Sequence, residues 1–280
     1  MNGQKAAVVE LSRGGTVAKI NMLNSQLFGL ARKGTDVMWK GGAPEGQRPS
    51  EGWQNSEIVM FPIVGAAYDG AVRIGGSSYP VAQHGMARDL PWNVQNLTDD
   101  TLVVSQAYEA MTAVRNGKRA SVFPRSYTLV KTYSIDERGA LTFRLEVQNR
   151  SEEPLPFAAG WHPAFNITPH SGIKNDKQEV VLVDEVAAVD KNAVVFQESH
   201  RLSLMLNDGV VVILTHNFGR AQAWSTGPYV ALEPITATSL SKDFTGAQVP
   251  PDLMTEDSYR KLARVEQPMP RYEATVKISK

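Results

Sequence analysis

The sequence predicts an all-β protein, a large antiparallel β-sandwich, and three observations predict it. Apolar and polar residues alternate with a period of two in the most strongly patterned segments. Turn formers are frequent, with 22 Gly and 16 Pro in 280 residues, and they fall between those segments. A helical period is scarce: only "DLMTEDSYRKLA", around residues 252–263, carries one. Many short alternating strands separated by turns suit two packed sheets better than alternating β and α layers.

The individual elements follow from the same rule. In "SYTLVKTYSI", Tyr127, Leu129 and Tyr133 share one face, and the "DERG" that follows reads as a hairpin turn. The next segment, "ALTFRLEVQN", sets Leu141, Phe143, Leu145 and Val147 against Thr142, Arg144, Glu146 and Gln148, a half-buried strand with one wet face. "RLSLMLNDGVVVILTH" reads as strand, Asn-Asp-Gly turn and strand. The last strand is "RYEATVKISK", with Tyr272, Ala274, Val276 and Ile278 facing one way. No Gly/Ser or Pro-rich linker, repeat or low-complexity tract interrupts the chain, so residues 1–280 are expected to form one domain.

Bulk properties narrow the function classes. The 29 basic and 29 acidic side chains balance, which leaves no electrostatic reason to gather phosphates; nucleic acid is not an expected partner. No stretch has the apolar length of a membrane span, nor the basic amphipathic pattern of a membrane-surface helix, so no membrane partner is expected. The opening "MNGQKAAVVELSRGG" lacks the apolar run of a signal peptide, and with no cysteine in the chain a cytoplasmic setting is expected. Glycine-rich nucleotide loops and a G-x-S-x-G elbow are missing, and no two histidines lie at H-x-H or H-E-x-x-H spacing; a metal site assembled from histidines distant in the chain stays open, without support from any spacing.

Three segments place an ionisable residue in an unusual setting. "YPVAQHGMARDLPW" holds His84 and Arg88, which read either as a loop aimed at a ligand or as solvated surface charges. "FAAGWHPAFNITP" holds His162, biased toward extended backbone by Pro163 and flanked by Trp161 and Phe165. It reads either as an acid–base group or as a packed histidine satisfied by a backbone carbonyl. "YVALEPITATSL" ends an apolar run on Glu233, which either works in a pocket or leans into water at the strand end. Two histidines, an arginine, a glutamate and aromatic residues suit proton transfer on a neutral polyhydroxylated ligand. A histidine and a glutamate on opposite sides of a sugar ring would serve as acid and base near neutral pH.

The same segments, in the same order, resemble the aldose 1-epimerase (galactose mutarotase) family, in particular its shorter sugar epimerase-like branch. "INMLNSQLFGLARKGTDVMWKGG" is similar to the family's opening hairpins, and "FPIVG" to its Phe-Pro-x-x-Gly element. "QHGMAR" resembles its His-Gly-Phe-Ala-Arg loop, "GWHPAFN" its Gly-x-His-Pro-x-Phe element, and "LEPIT" its glutamate strand. The resemblance implies a galactose mutarotase-like supersandwich with a sugar cleft and no cofactor. It implies Glu233 as the base on the anomeric hydroxyl and His162 as the acid on the ring oxygen, with His84 and Arg88 binding sugar oxygens. For those roles His162 starts protonated and Glu233 ionised, and the nearby carboxylate is expected to raise the histidine pKa.

One departure from the family pattern concerns the substrate. Where the family commonly has an arginine after Phe-Pro-x-x-Gly, this chain has Ala66, and Met86 replaces an aromatic residue, a change expected to widen the cleft wall. A phosphorylated sugar would need a basic cluster, for which only Arg88, Arg73 and Arg125 are candidates. The expected function is interconversion of α and β anomers of a free or modified aldose. The alternatives are a non-catalytic carbohydrate-binding protein and a lyase or glycosidase on the same scaffold.

Overall fold

A computed structural model describes residues 8–67, 69–117, 119–189, 193–237, 241–243, 248–249 and 270–279. Among these, strands dominate; the helical elements are the short α-helix Val183–Ala187 and a 3-10 turn, Ala87–Asp89. No helix among the described residues is long and apolar enough to cross a membrane. The helix expected around 252–263 lies outside the described residues.

Two large sheets carry the architecture. One is antiparallel, in the order Val180–Leu182, Gly172–Asn175, Arg201–Met205, Val211–His216, Arg271–Ser279, Leu141–Asn149, Tyr127–Ile135, Thr101–Tyr108, Asn93–Leu97. The other is centred on Tyr229–Ile235. Arg220–Trp224 flanks it on one side, and Gly160–Trp161 and Ala164–Asn166 pair along the other. A four-stranded sheet, Val8–Asp36, packs beside them.

The predicted strands form with the predicted faces. Leu141, Phe143, Leu145 and Val147 are buried, as are Tyr127, Leu129 and Tyr133 on the paired strand, where Leu129 stands opposite Val147 and Tyr133 opposite Phe143. The "DERG" turn closes on Asp136, whose Oδ1 accepts the N–H groups of Arg138 and Ala140 at 2.9 and 2.8 Å. Thr142, Arg144, Glu146 and Gln148 are half-buried rather than wet, because this strand is paired on both sides. One apolar cluster draws side chains from Leu11 to Ile278, and Phe143 stacks flat on Trp161 at 4.6 Å where the two large sheets face each other.

Period two also puts Lys131 on the buried face, between Leu129 and Tyr133. Its Nζ is held by the Ser25 carbonyl and lies 3.5 Å from Glu57 Oε1, 4.7 Å over the Trp92 ring. Glu57 also accepts the Tyr133 hydroxyl and, at 3.0 Å, the Leu27 N–H. Burying charge is tolerable only when each partner is satisfied in this way. The cluster ties the N-terminal sheet and the 53–58 segment to the large antiparallel sheet.

Candidate active site

A cavity of about 370 Å3 opens against the central strand Tyr229–Ile235, lined among the described residues by Trp53, His84, Arg88, His162, Gln222 and Glu233, with Gly65, Gln83, Ala193, Trp224 and Thr226 around them. All four residues singled out in the sequence therefore meet in one place, although 149 positions separate His84 from Glu233.

Each is held by local backbone structure. Glu233 lies mid-strand, 1% exposed, in register with Gln222 on the adjoining strand. Gln222 Nε2 donates to Glu233 Oε2 at 2.7 Å. His162 sits between two short strands that both pair with the glutamate strand. It exchanges backbone hydrogen bonds with Ile58 at 3.0 and 3.4 Å, which leaves the ring facing the cavity, 4% exposed. Trp53 covers that ring at 4.5 Å, and Trp224 meets it edge-on at 5.8 Å.

The His84 loop is pinned to the Phe-Pro-x-x-Gly segment. His84 has a φ of 65°, a left-handed value that costs a side-chain-bearing residue on the order of 1 kcal/mol. Three contacts hold it there: its N–H donates to Gly65 O at 2.7 Å, its O accepts from Phe61 N–H at 3.1 Å, and its Nδ1 accepts from Gly65 N–H at 3.1 Å. A backbone N–H can only donate, so Nδ1 is the unprotonated nitrogen and Nε2 carries the hydrogen. Burial, with His162 and Arg88 nearby, depresses the His84 pKa well below the usual imidazole value, so the ring is a neutral Nε2–H donor. Gly85 is obligatory beside it: its φ is +74°, and a Cβ there would stand 2.0 Å from Phe61 O. Arg88 is half-buried at the cavity, with Nε 3.9 Å from Asp89 Oδ2.

His162 Nε2 and Glu233 Oε1 are 3.3 Å apart. They stand side by side on one wall, not on opposite sides of a ring as the sequence led us to expect. The expected rise in the histidine pKa is also corrected. Burial pushes His162 down to about 3 and Glu233 up to about 8. Desolvation outweighs the attraction between two charges that are both taken out of water. Between those limits the pair holds one proton, on the carboxyl, with a neutral imidazole beside it. The His162 Nδ1 has no hydrogen-bond partner among the described residues.

Other expectations also change. Met86 does not widen the cleft wall; it is fully buried in the apolar core. Ala66 borders an adjoining depression of about 360 Å3, which meets the cavity at Gln83. Arg73 pairs with Asp69, and Arg125 bonds to the carbonyls of Pro124 and Pro154; neither lines the cavity. Gln222 and Trp53 were not singled out from the sequence. Gln222 had a faint signal: "AQAW" alternates a polar residue into a buried strand. Among the described residues no group of three or more His, Asp or Glu side chains gathers as a metal site.

A family model described as aldose 1-epimerase matches residues 60–208, more than half of the chain, including His84, Arg88 and His162. A search of curated proteins by sequence finds no match. Among solved structures, the chain is similar to a galactose mutarotase-like protein from Lactobacillus casei (TM-score 0.73, 19% identity, 98% of this chain and 100% of that one). It is also similar to a galactose mutarotase related enzyme from Lactobacillus acidophilus (TM-score 0.74, 16% identity, 98% of both chains). A galactose mutarotase-like protein from Clostridium acetobutylicum matches at TM-score 0.64 and 14% identity, over 98% of this chain and 95% of that one. At these identities the likeness concerns the fold.

Proposed function

The chain belongs to the aldose 1-epimerase family, and from that premise we propose that it interconverts the α and β anomers of a free or modified aldose. The observation that carries this reading is the His162–Glu233 pair, 3.3 Å apart on the wall of a cavity roofed by tryptophan. The two oxygens that exchange protons in mutarotation, the ring oxygen and the anomeric hydroxyl, are bonded to one carbon. An acid and a base that serve both must therefore be neighbours, as these are.

In this reading a sugar in the cavity supplies hydroxyl partners to both groups, and the shared proton passes from Glu233 to His162. Glu233 Oε1 then takes the proton of the anomeric hydroxyl while His162 Nε2 protonates the ring oxygen, and the C1–ring oxygen bond breaks. The pair is left with a protonated carboxyl and a neutral imidazole, the protonation state of the empty site. Rotation about C1–C2 and reclosure with the roles reversed give the other anomer. Neutral His84 donates through Nε2 and Arg88 through its guanidinium to sugar oxygens; Trp53 and Trp224 cover the apolar face of the ring.

Glycoside hydrolysis commonly uses two carboxyl groups about 5–9.5 Å apart; Glu233 is the one carboxylate lining the cavity among the described residues. With Arg88 as the one arginine or lysine there, an uncharged sugar suits the site better than a phosphorylated one. We also read the chain as one domain, since one apolar cluster spans its sheets.

Polarimetry on freshly dissolved α-anomers of glucose, galactose, xylose, arabinose and fucose tests this function. Acceleration with any of them is expected, falling about 100-fold or more in Glu233→Gln and in His162→Ala. An unaccelerated approach to equilibrium with every sugar would sink the simple-aldose reading and leave a sugar-binding role. New reducing ends or unsaturated products from oligosaccharides would point to a hydrolase or lyase.

A further inference from the structure

We propose that Gln106 is a positioning residue: from outside the cavity, its side-chain amide fixes the turn that aims Arg88 at the sugar. The proposal rests on the reading that Arg88 binds sugar oxygens, and it concerns a side chain that is not among those lining the cavity.

Gln106 lies on the strand Thr101–Tyr108, on the face from which Leu102, Val104 and Tyr108 enter the core, and it is 1% exposed. Its Nε2 donates to Ala87 O at 2.7 Å and to Leu90 O at 2.9 Å. These carbonyls bracket the 3-10 turn Ala87–Asp89, in which the Asp89 N–H closes on Met86 O at 3.0 Å. A turn this short leaves its last carbonyls without partners of its own. Gln106 supplies the partners from the large antiparallel sheet. Two further contacts hold the flanks: the Ala87 N–H donates to Phe61 O at 3.2 Å, and Lys131 Nζ lies 4.7 Å over the Trp92 ring. The backbone on either side of Arg88 is thus tied down, and Gln106 is the side chain that grips both ends of its turn.

The amide itself shows what the position is for. Gln106 Oε1 is buried and accepts no hydrogen bond among the described residues. Burying an unpaired amide oxygen costs about 1–3 kcal/mol, which an apolar side chain on this core-facing position would avoid. Only the glutamine brings two donors on one nitrogen, each matched to a carbonyl that would otherwise be stranded. Arg88 in turn depends on its backbone. Its Nε is buried and makes no hydrogen bond among the described residues, with Asp89 Oδ2 at 3.9 Å. With no bond at Nε to correct its course, the guanidinium goes where the turn sends it. A displaced turn would carry it off the sugar oxygens.

The test uses the full chain with Gln106→Met, which keeps the length and loses both donors, and Gln106→Glu, which sets a carboxyl against the two carbonyls. Arg88→Ala is made alone and together with Gln106→Met. In mutarotation assays Gln106→Met is expected to raise KM about tenfold with kcat within about twofold, the loss of one hydrogen bond to bound sugar. Gln106→Glu raises KM at least as much. Arg88→Ala also raises KM, and the double variant raises it no further, because Gln106 acts through Arg88. A KM within about twofold of wild type in either Gln106 variant would overturn the proposal, as would a double variant whose rise is the product of the singles. NMR gives a reading that needs no turnover. In the wild type both Gln106 amide protons are expected to exchange slowly with solvent, and the Arg88 Nε–H resonance to shift in Gln106→Met. Rapid exchange, or an unmoved Arg88 resonance, would equally exclude the role. If the wild type accelerates no sugar, the mutarotase reading fails by itself; the two NMR observations still decide whether Gln106 holds the Arg88 turn.

Discussion

Glu233 and His162 are costly residues, and the cost is measurable. Glu233 titrates at about 8 in the folded chain against 4.5 for a free side chain. Folding therefore favours its protonated form. That contribution is whole below about 4.5 and is lost as pH rises through about 8. His162, moved from 6.5 to about 3, behaves in the opposite sense: its contribution is whole above 6.5 and is lost as pH falls through about 3. Glu233→Gln removes the first loss, so this variant should melt above wild type at about pH 8.5, with the difference closing toward pH 5. Differential scanning calorimetry at the two pH values measures it; equal melting temperatures at both would refute the buried-carboxyl assignment. Activity follows the same arithmetic. Both roles need one proton in the pair, so kcat/KM should be flat through neutrality and fall above about 8 as that proton leaves. A profile already falling by pH 6.5 would contradict it.

At the scale of elements, the loop that carries His84 and Arg88 depends on a glycine more than on either of them. A Cβ on Gly85 would meet Phe61 O at 2.0 Å, in a left-handed conformation, and His84 beside it is already left-handed. Gly85→Ala should therefore cost about 1–3 kcal/mol of stability. It should also weaken sugar binding, because the Gly65–His84 contacts that set the imidazole tautomer move with the backbone. Urea unfolding and tryptophan fluorescence titration with sugar would measure the two effects, and a variant unchanged in both would show that the loop is not pinned through this contact. The alternating segments were legible because each strand's pattern is local. The half-buried polar face of Leu141–Asn149 was not, since its second neighbour in the sheet, Arg271–Ser279, lies more than a hundred residues on.

For the molecule as a whole, the Lys131–Glu57–Tyr133 cluster joins the N-terminal sheet to the sandwich while staying away from the cavity lining. Removing one charge strands the other in the core. Glu57→Gln should cost about 3–5 kcal/mol, and the paired change Lys131→Met with Glu57→Gln should cost less than either single change alone. Denaturant unfolding of the singles and the double closes this cycle. Additive losses would mean that the two charges do not interact.

The sequence by itself determined the sheet-forming segments, their buried faces, the turns between them, and which four ionisable residues stand in unusual settings. These properties depend on side-chain period and on neighbours within a few positions. Only the tertiary structure decided that His162 and Glu233 touch, that Gln222 and Trp53 join them, that Met86 is a core residue and that Glu57 is the partner of Lys131. It also decided where the proton rests. Desolvation depends on everything packed around a group, and that surround is assembled from strands distant in the chain. A motif can name an acid and a base; the packed sheet sets which of them holds the proton.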